Sequence, residues 1–334
     1  MTVIPPGMGL FEKSAAALAW LGRHGTVAVA ISMLVGVALP PVGALIRPYF
    51  PETVIILLIL SFLRVDPAAL WAQWARPGLV IAAAVWTMLV LPVLAMAILF
   101  GVGLVSQTAM PWSSALFLAL VLNVVAPPTF SSPSLAALIG LNGAISLGLL
   151  IVCTAVTPFV APALVAAFFG SDVTISPLAL GLRLVLMLAG AACVALAIRA
   201  VAGQERVKRQ TEYLDGLSVI VLYAFALALM GDVLENAIAR PLLVLGLVAL
   251  ATAVSLALSA LTVLAFLRAG WETALALGHA AGSRNMGLML AATAGAVPEL
   301  VWLYVGLAQF PIYLLPLPFQ PLVRWLTRRN DARS

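Results

Sequence analysis

Charge is scarce in this 334-residue sequence. Only 9% of its residues are Asp, Glu, Lys or Arg, where a soluble domain carries roughly 25%. That shortage excludes an ordinary soluble globular fold. Histidine and cysteine are almost missing as well, with two of each. Cys153 and Cys193 lie inside apolar runs and offer neither a disulfide framework nor a metal cluster. The 12 acidic residues fall at the ends of apolar runs or between them, so the two buried aspartates of an intramembrane aspartyl protease are lacking. His279 and Ser283 are one helical turn apart, but they flank an interruption and lack the surroundings of a serine protease. No enzymatic activity is expected. The opening "MTVIPPGMGLFEKSAAALAWLGRHG" has neither the basic start nor the single compact apolar block of a cleaved signal peptide.

Apolar residues are abundant, at 64% of the chain with a mean hydropathy of +1.16. The runs are long and continuous rather than alternating, which selects membrane-spanning helices over a closed barrel. Runs bounded by charge, proline or glycine clusters give ten predicted spans, at 25–46, 52–68, 78–102, 110–136, 142–168, 177–200, 213–234, 241–267, 271–296 and 298–323. The cations follow a topology rule. Lys13, Arg23, Arg64, Arg76, Arg199, Arg206, Lys208, Arg209, Arg268, Arg324, Arg328, Arg329 and Arg333 fall on the side shared by both termini, and only Arg47, Arg183 and Arg240 fall opposite. Both termini are therefore expected in the cytoplasm, in a multi-pass protein of the cytoplasmic (inner) membrane. The net charge of +5 belongs to this topology and not to nucleic-acid binding. The remaining cation, Arg284, belongs to neither side.

Two spans are interrupted at corresponding places. "APPTFSSPSLAALIG" (126–140) breaks the fourth, and "AAGSRNMGLMLAATAG" (280–295) breaks the ninth. "TPFVAPAL" (157–164) and "FPIYLLPL" (310–317) correspond in the fifth and tenth, again at an offset of about 150 residues. Five spans per copy is an odd number, so the second copy must lie upside down. Inverted repeats with interrupted helices mark secondary transporters. A broken helix frees backbone N–H and C=O groups and half-helix dipoles near mid-membrane, where they replace the water shell of an ion or polar solute. The expected fold is an all-α integral membrane protein of a single domain, with ten helices in two inverted repeats, 25–168 and 177–323.

These segments resemble the bile acid:sodium symporter family over nearly the whole chain. "TVIILLILSFLRVDPAALWAQWARPGLVIAAAVWTMLVLP" (53–92) is similar to the family's second and third helices, and "PTFSSPSLAALIGLNGAISLGLLIVCTAVTPFVAPAL" (128–164) to its broken fourth helix and its fifth. "TEYLDGLSVIVLYAFALAL" (211–229) resembles its seventh, and "GSRNMGLMLAA" (282–292) its broken ninth. The resemblance implies a panel of helices 1, 2, 6 and 7 and a core of helices 3–5 and 8–10, in which helices 4 and 9 cross. Substrate would bind in the cleft near that crossing. It also implies a small organic anion as substrate, such as a carboxylate or bile-acid-like molecule. The expected partners are that anion and the lipid bilayer, with the chain as a monomer.

The family's sodium ligands transfer poorly. Its serine and asparagine of helix 4 fall on Ser132 and Pro133, its serine and threonine of helix 5 on Ser146 and Leu150, and its glutamine of helix 3 on Thr87. The glutamate shared by both sodium sites falls on Ala280, and the glutamine four residues later falls on Arg284. Ser132 and Ser146 alone persist, as degenerate metal positions, so sodium is not expected as a cofactor. Arg284 is expected to stand in sodium's place and act as charge partner of the anion, since a guanidinium suits a carboxylate. It is also suited to bond half-helix carbonyls and brace the crossing, a role compatible with the first. Asn285, Ser131, Ser132, Thr129, Asn123 and Thr87 complete the expected substrate-binding set, with each also suited to capping or bridging helices. His279 joins them as a residue able to couple transport to protons, or simply to bond a neighbouring carbonyl. Trp86 faces either the substrate or the helix core. Two further readings stay open: a sodium-coupled symporter of the same family and a passive anion channel.

Overall fold

The computed structural model describes residues 31, 34–64, 77–101, 111–169, 176–315, 320, 321 and 323. Lys13, Arg23, Arg76, Arg324, Arg328, Arg329 and Arg333, which carry much of the predicted orientation, lie outside the described residues. The described chain is helical nearly throughout. In order it forms α1 (Pro40–Ile46), α2 (Phe50–Arg64), α3 (Pro77–Val85), α4 (Leu91–Gly101), α5 (Pro111–Val125), α6 (Ser132–Leu138), α7 (Gly143–Phe169) and α8 (Pro177–Ala202). There follow α9 (Gln204–Arg209), α10 (Thr211–Met230), α11 (Val233–Ala239), α12 (Pro241–Phe266), α13 (Trp271–Gly282), α14 (Met286–Ala292) and α15 (Glu299–Leu314).

Among the described residues, six helical segments are long and apolar enough to cross a membrane: Pro40–Arg64, Pro77–Phe100, Gly143–Phe169, Pro177–Ala202, Thr211–Ala239 and Pro241–Ala269. Their outward faces carry large apolar side chains, such as Leu186 at 72% and Leu242 at 83% exposed. Water would penalise such surface heavily, and lipid does not. The chain is a multi-pass, all-α membrane protein. The connection expected near residues 47–51 is itself helical, with a 3₁₀ turn at Arg47–Tyr49 leading straight into α2. The interruption lies earlier, at Leu39 just before α1. Pro40 and Pro41 at the first helical positions explain this, because a proline starts a helix readily but disfavours helical geometry in the residue before it.

The chain divides into two compact units, Met1–Val65 with Leu188–Glu235, and Asp66–Met187 with Asn236–Ser334. In the first unit α10 packs along α1 and α2. The pair α2/α10 runs antiparallel and is fastened at both ends. Arg47 pairs with Asp232 at one end, and Arg64 Nη1 reaches Asp215 Oδ1 at 2.9 Å at the other. Phe50 stacks on Phe225 near the first of these, with ring centroids 5.2 Å apart. Both ion pairs are partly solvated, so each contributes little, about 0–1 kcal/mol. Close backbone approach contributes more. A Cβ on Gly43 would stand 2.6 Å from the Leu227 carbonyl oxygen and 2.8 Å from Gly231 Cα. Small residues at such a crossing let two helices touch along their backbones.

The second unit holds α3–α7, the first part of α8, and α12–α15. Its tightest contact is α12 on α13, through Gly278 and Gly282 one turn apart. A Cβ on Gly282 would lie 1.9 Å from Ser259 Oγ, and one on Gly278 would lie 2.8 Å from the Ser259 carbonyl oxygen. Gly43→Ala is expected to cost about 1–3 kcal/mol through overpacking and to lower the melting temperature in detergent. Gly78→Ala, with nothing within 4 Å of the added methyl, is expected to leave it unchanged.

Candidate functional site

The two interrupted spans meet inside the second unit. Pro127 and Pro128 cannot continue α5, because neither has a backbone N–H, and the chain turns irregular between α5 and α6. On the other span α13 stops at Gly282 and α14 starts at Met286. The irregular segments pair as one antiparallel bridge between Pro128 and Arg284. The Thr129 N–H donates to the Ser283 carbonyl at 2.8 Å, and the Asn285 N–H donates to the Pro127 carbonyl at 2.7 Å. Ser255 Oγ donates to the Gly282 carbonyl at 2.9 Å, and Asn285 Oδ1 caps α14 by accepting from the Leu288 N–H at 3.1 Å. The groups exposed by the breaks are thus bonded within the protein, as the apolar surroundings demand.

Arg284 is 1% exposed and is among the largest fully buried side chains in the molecule. Nη1 donates to the Ala126 carbonyl at 2.9 Å, and Nη1 and Nη2 both donate to the Thr87 carbonyl at 3.3 Å. Both carbonyls are available because of prolines. Ala126 immediately precedes Pro127–Pro128, where the helix ends. Thr87 lies in a π turn, Trp86–Val90, joining α3 to α4. There the Leu91 N–H donates to Trp86 O, which removes the α-helical donor for Thr87 O. The next residue, Pro92, has no N–H to give. The Thr87 carbonyl is therefore orphaned in its own helix, and the guanidinium takes it.

The remaining predicted residues are distributed as follows. Thr87 and Ser132 are fully buried, and neither hydroxyl has a hydrogen-bond partner; the same holds for Thr154 Oγ1, His279 Nε2 and Arg284 Nε. Thr129 and Ser131 share a hydrogen bond of 2.9 Å between their hydroxyls. Asn123 Nδ2 donates to the Tyr304 hydroxyl at 2.9 Å, tying α5 to α15. Ser146 Oγ donates to the Ala276 carbonyl at 3.2 Å, tying α7 to α13. Trp86 turns to α12, donating to Thr262 Oγ1 at 3.0 Å. Ala280 sits in an apolar cluster with Leu277, Ala83, Ala84, Met88, Leu149 and Cys153. The structure brings Thr87 into contact with Arg284, while Asn123 and Ser146 bond elsewhere.

Sequence reasoning missed the π turn and the Thr87 carbonyl. Pro92, inside an apolar run, was the available signal. It also missed the partners of Arg183, counted only as an opposite-side cation: on α8 it donates through Nη1 to Thr293 O at 3.2 Å and Ala292 O at 3.5 Å. A cation there complements the carbonyl end of α14. No family model matches the chain, and no curated protein matches it.

Removing the guanidinium strands two buried carbonyls, each costing about 1–3 kcal/mol when unsatisfied. Arg284→Met is therefore expected to destabilise the protein by about 2–5 kcal/mol, read as loss of melting temperature in detergent. Arg284→Lys, able to bond one carbonyl at a time, is expected to fall between Met and the parent protein.

Proposed function

We propose that this protein is a secondary transporter that moves an organic anion across the cytoplasmic membrane by alternating access. On this reading it is a ten-helix, inverted-repeat member of the bile acid:sodium symporter family whose resident cation is Arg284. The observation that carries the reading is the crossing itself: two interrupted helices paired through their backbones, with a buried guanidinium at the junction. Carriers place binding sites at such discontinuities.

Matched features support the inverted repeat. The half-helices α6 and α14 each have seven residues. Each is followed by a glycine with positive φ, Gly140 at 90° and Gly295 at 77°, and then by a long or apolar helix, α7 or α15. The separations 132–286, 140–295 and 143–299 are about 155 residues throughout. The division of the chain into two units, one built from its first helices with α10 and the other from the interrupted ones, resembles a panel-and-core division, although its boundary falls within α8.

The residues at the family's sodium positions do not fit a sodium ion. Pro133, Leu150 and Ala280 provide no side-chain oxygen, Ala280 packs among apolar side chains, and the Ser146 hydroxyl is committed to Ala276. The carbonyls of Thr87 and Ala126, which are ready-made ligands for a hard cation, hold the guanidinium. A tethered charge in that position maintains a field that favours an anion without an ion to load. His279, whose Nε2 has no partner, is the residue available for coupling to a proton.

The test is uptake of radiolabelled carboxylates by proteoliposomes of the full chain. Equal uptake in sodium and in choline is expected, and Arg284→Glu is expected to reduce it to less than about a tenth, the equivalent of some 1.4 kcal/mol. Strict sodium dependence at neutral pH would return the protein to sodium symport. Non-saturating flux without exchange of labelled substrate would make it a channel.

A further inference from the structure

One end of the first unit carries charge that its packing leaves unused. Among the described residues of this unit, cations and carboxylates are equal in number, six of each, but they are unevenly placed. At one end Glu52, Asp232 and Glu235 stand with a single cation, Arg47, which pairs with Asp232. At the other end five cations stand with three carboxylates, Glu205, Glu212 and Asp215. The unit is neutral as a whole and polarised along its helices.

Packing absorbs two of those five cations. Arg64 pairs with Asp215, and its Nε donates to the Leu60 carbonyl at 3.3 Å. Arg199, in the last turn of α8, donates through Nη2 to the Leu63 carbonyl at 2.8 Å and closes the end of α2. These groups mark the level at which α2, α8 and α10 leave the apolar layer. The other three cations, Arg206, Lys208 and Arg209, sit just beyond it on α9. Gly203, with φ 83° and ψ 141°, ends α8 and turns the chain into α9, a conformation that suits glycine. The short helix is ordered by its own bonds. The Val207 N–H donates to Gly203 O at 3.2 Å, the Gln210 N–H to Val207 O at 3.1 Å, and Thr211 Oγ1 to Lys208 O at 2.7 Å.

Arg206 and Arg209 are three residues apart and so share one face of α9. Both are exposed, and no described group pairs with either guanidinium. Apolar and amphipathic side chains stand at the same end. Val201, near the end of α8, is 91% exposed, and Tyr213, in the first turn of α10, is 42% exposed. A valine that open suits acyl chains better than water, and a tyrosine suits the boundary between chains and headgroups. Topology alone accounts for the side of the membrane on which these cations lie. It does not require an ordered helix that presents two unpaired guanidiniums at headgroup depth.

We infer that α9 is an interfacial helix that binds anionic phospholipid headgroups, with Arg206 and Arg209 on the phosphate and Val201 and Tyr213 beside the acyl chains. Charge complementarity selects this occupant. A basic side chain at an anionic membrane surface gains about fivefold in affinity, whereas the opposite end of the unit, with carboxylates in excess, repels the same lipid. The inference is independent of the carrier reading.

The experiment uses the full chain in detergent, with lipid binding followed by native mass spectrometry. The probes are phosphatidylglycerol and phosphatidylcholine with identical acyl chains, and glycerol 1-phosphate as a soluble phosphate. Phosphatidylglycerol is expected to bind about tenfold or more tighter than phosphatidylcholine, with glycerol 1-phosphate silent. The double variant Arg206→Gln with Arg209→Gln is expected to lose at least about fivefold of that preference. Its melting temperature in phosphatidylcholine is expected to stay unchanged, because neither side chain has a partner to lose. Arg206→Lys with Arg209→Lys keeps the charge and is expected to keep the preference. Equal affinity for the two lipids would overturn the inference. An undiminished preference in the glutamine variant would put the headgroup elsewhere and overturn the assignment to α9. A loss in the lysine variant as large as in the glutamine variant would overturn charge as its cause. Glycerol 1-phosphate binding as tightly as phosphatidylglycerol would replace the membrane with a soluble phosphate, and the inference would fall.

Discussion

The structure of the second unit turns on one interaction, the guanidinium of Arg284 on the carbonyls of Thr87 and Ala126. Taken separately, both sides are unfavourable. An arginine at mid-membrane costs at least about 2.5–3.5 kcal/mol on insertion scales, and a carbonyl without a donor in an apolar interior costs several more. Together they offset one another. Prolines create the need: Pro127–Pro128 end α5 beyond Ala126, and Pro92, with the π turn before it, strips the donor from Thr87. The arginine meets that need from a third part of the chain. Three segments distant in sequence are thereby held at one point, which neither hydrophobic burial nor helix propensity would specify.

The surrounding bonds follow from that point. With Arg284 fixed, its own backbone forms the bridge to Pro128, and Asn285, the next residue, caps α14. Ser255 closes the carbonyl end of α13, and Gly282 gives α12 the room to come close enough for Ser255 to do so. At the far end of α14, Thr293 Oγ1 turns back to Leu290 O at 2.6 Å while Arg183 covers the last carbonyls. A seven-residue helix is too short to be stable alone. Here it is tied at both ends and buried along its length, so it behaves as part of a rigid junction.

How much of this was legible in the sequence depends on which physical cause was at work. Composition and continuous apolar runs were enough for the all-helical membrane class. The break after Val125 was legible because two adjacent prolines cannot propagate a helix. The break at Ser283 has no proline, and only the clustering of small and polar residues around an arginine marked it. Not every proline breaks a helix. Pro158, Pro162 and Pro311 lie within α7 and α15, and those helices continue through them. Pro92 looked no different in the sequence, yet it frees a carbonyl that another helix uses. Whether an orphaned carbonyl finds a partner is a tertiary fact, and local pattern does not contain it. The pairing of Asn123 with Tyr304, and of Ser146 with the backbone of α13, was hidden for the same reason. At residues 47–51 a charge and a proline suggested a loop, but Pro48 sits at an early position of a 3₁₀ turn, where its missing N–H costs nothing.

A covalently tethered cation also changes what the junction can do energetically. An ion that binds and leaves can bring the work of its gradient to a transport cycle, because its affinity differs between the two conformations. A guanidinium that never leaves contributes a field and hydrogen bonds, which set affinity and charge preference, but it transfers no gradient. On the proposed reading, net accumulation of substrate then has to draw on something else that moves: a second solute in exchange, the membrane potential acting on the anion, or a proton at His279. On the same reading, the arginine that would make the site hospitable to an anion also separates binding from driving force. On that reading charge preference belongs to Arg284, and coupling has to come from a group or solute that moves or changes its charge during the cycle.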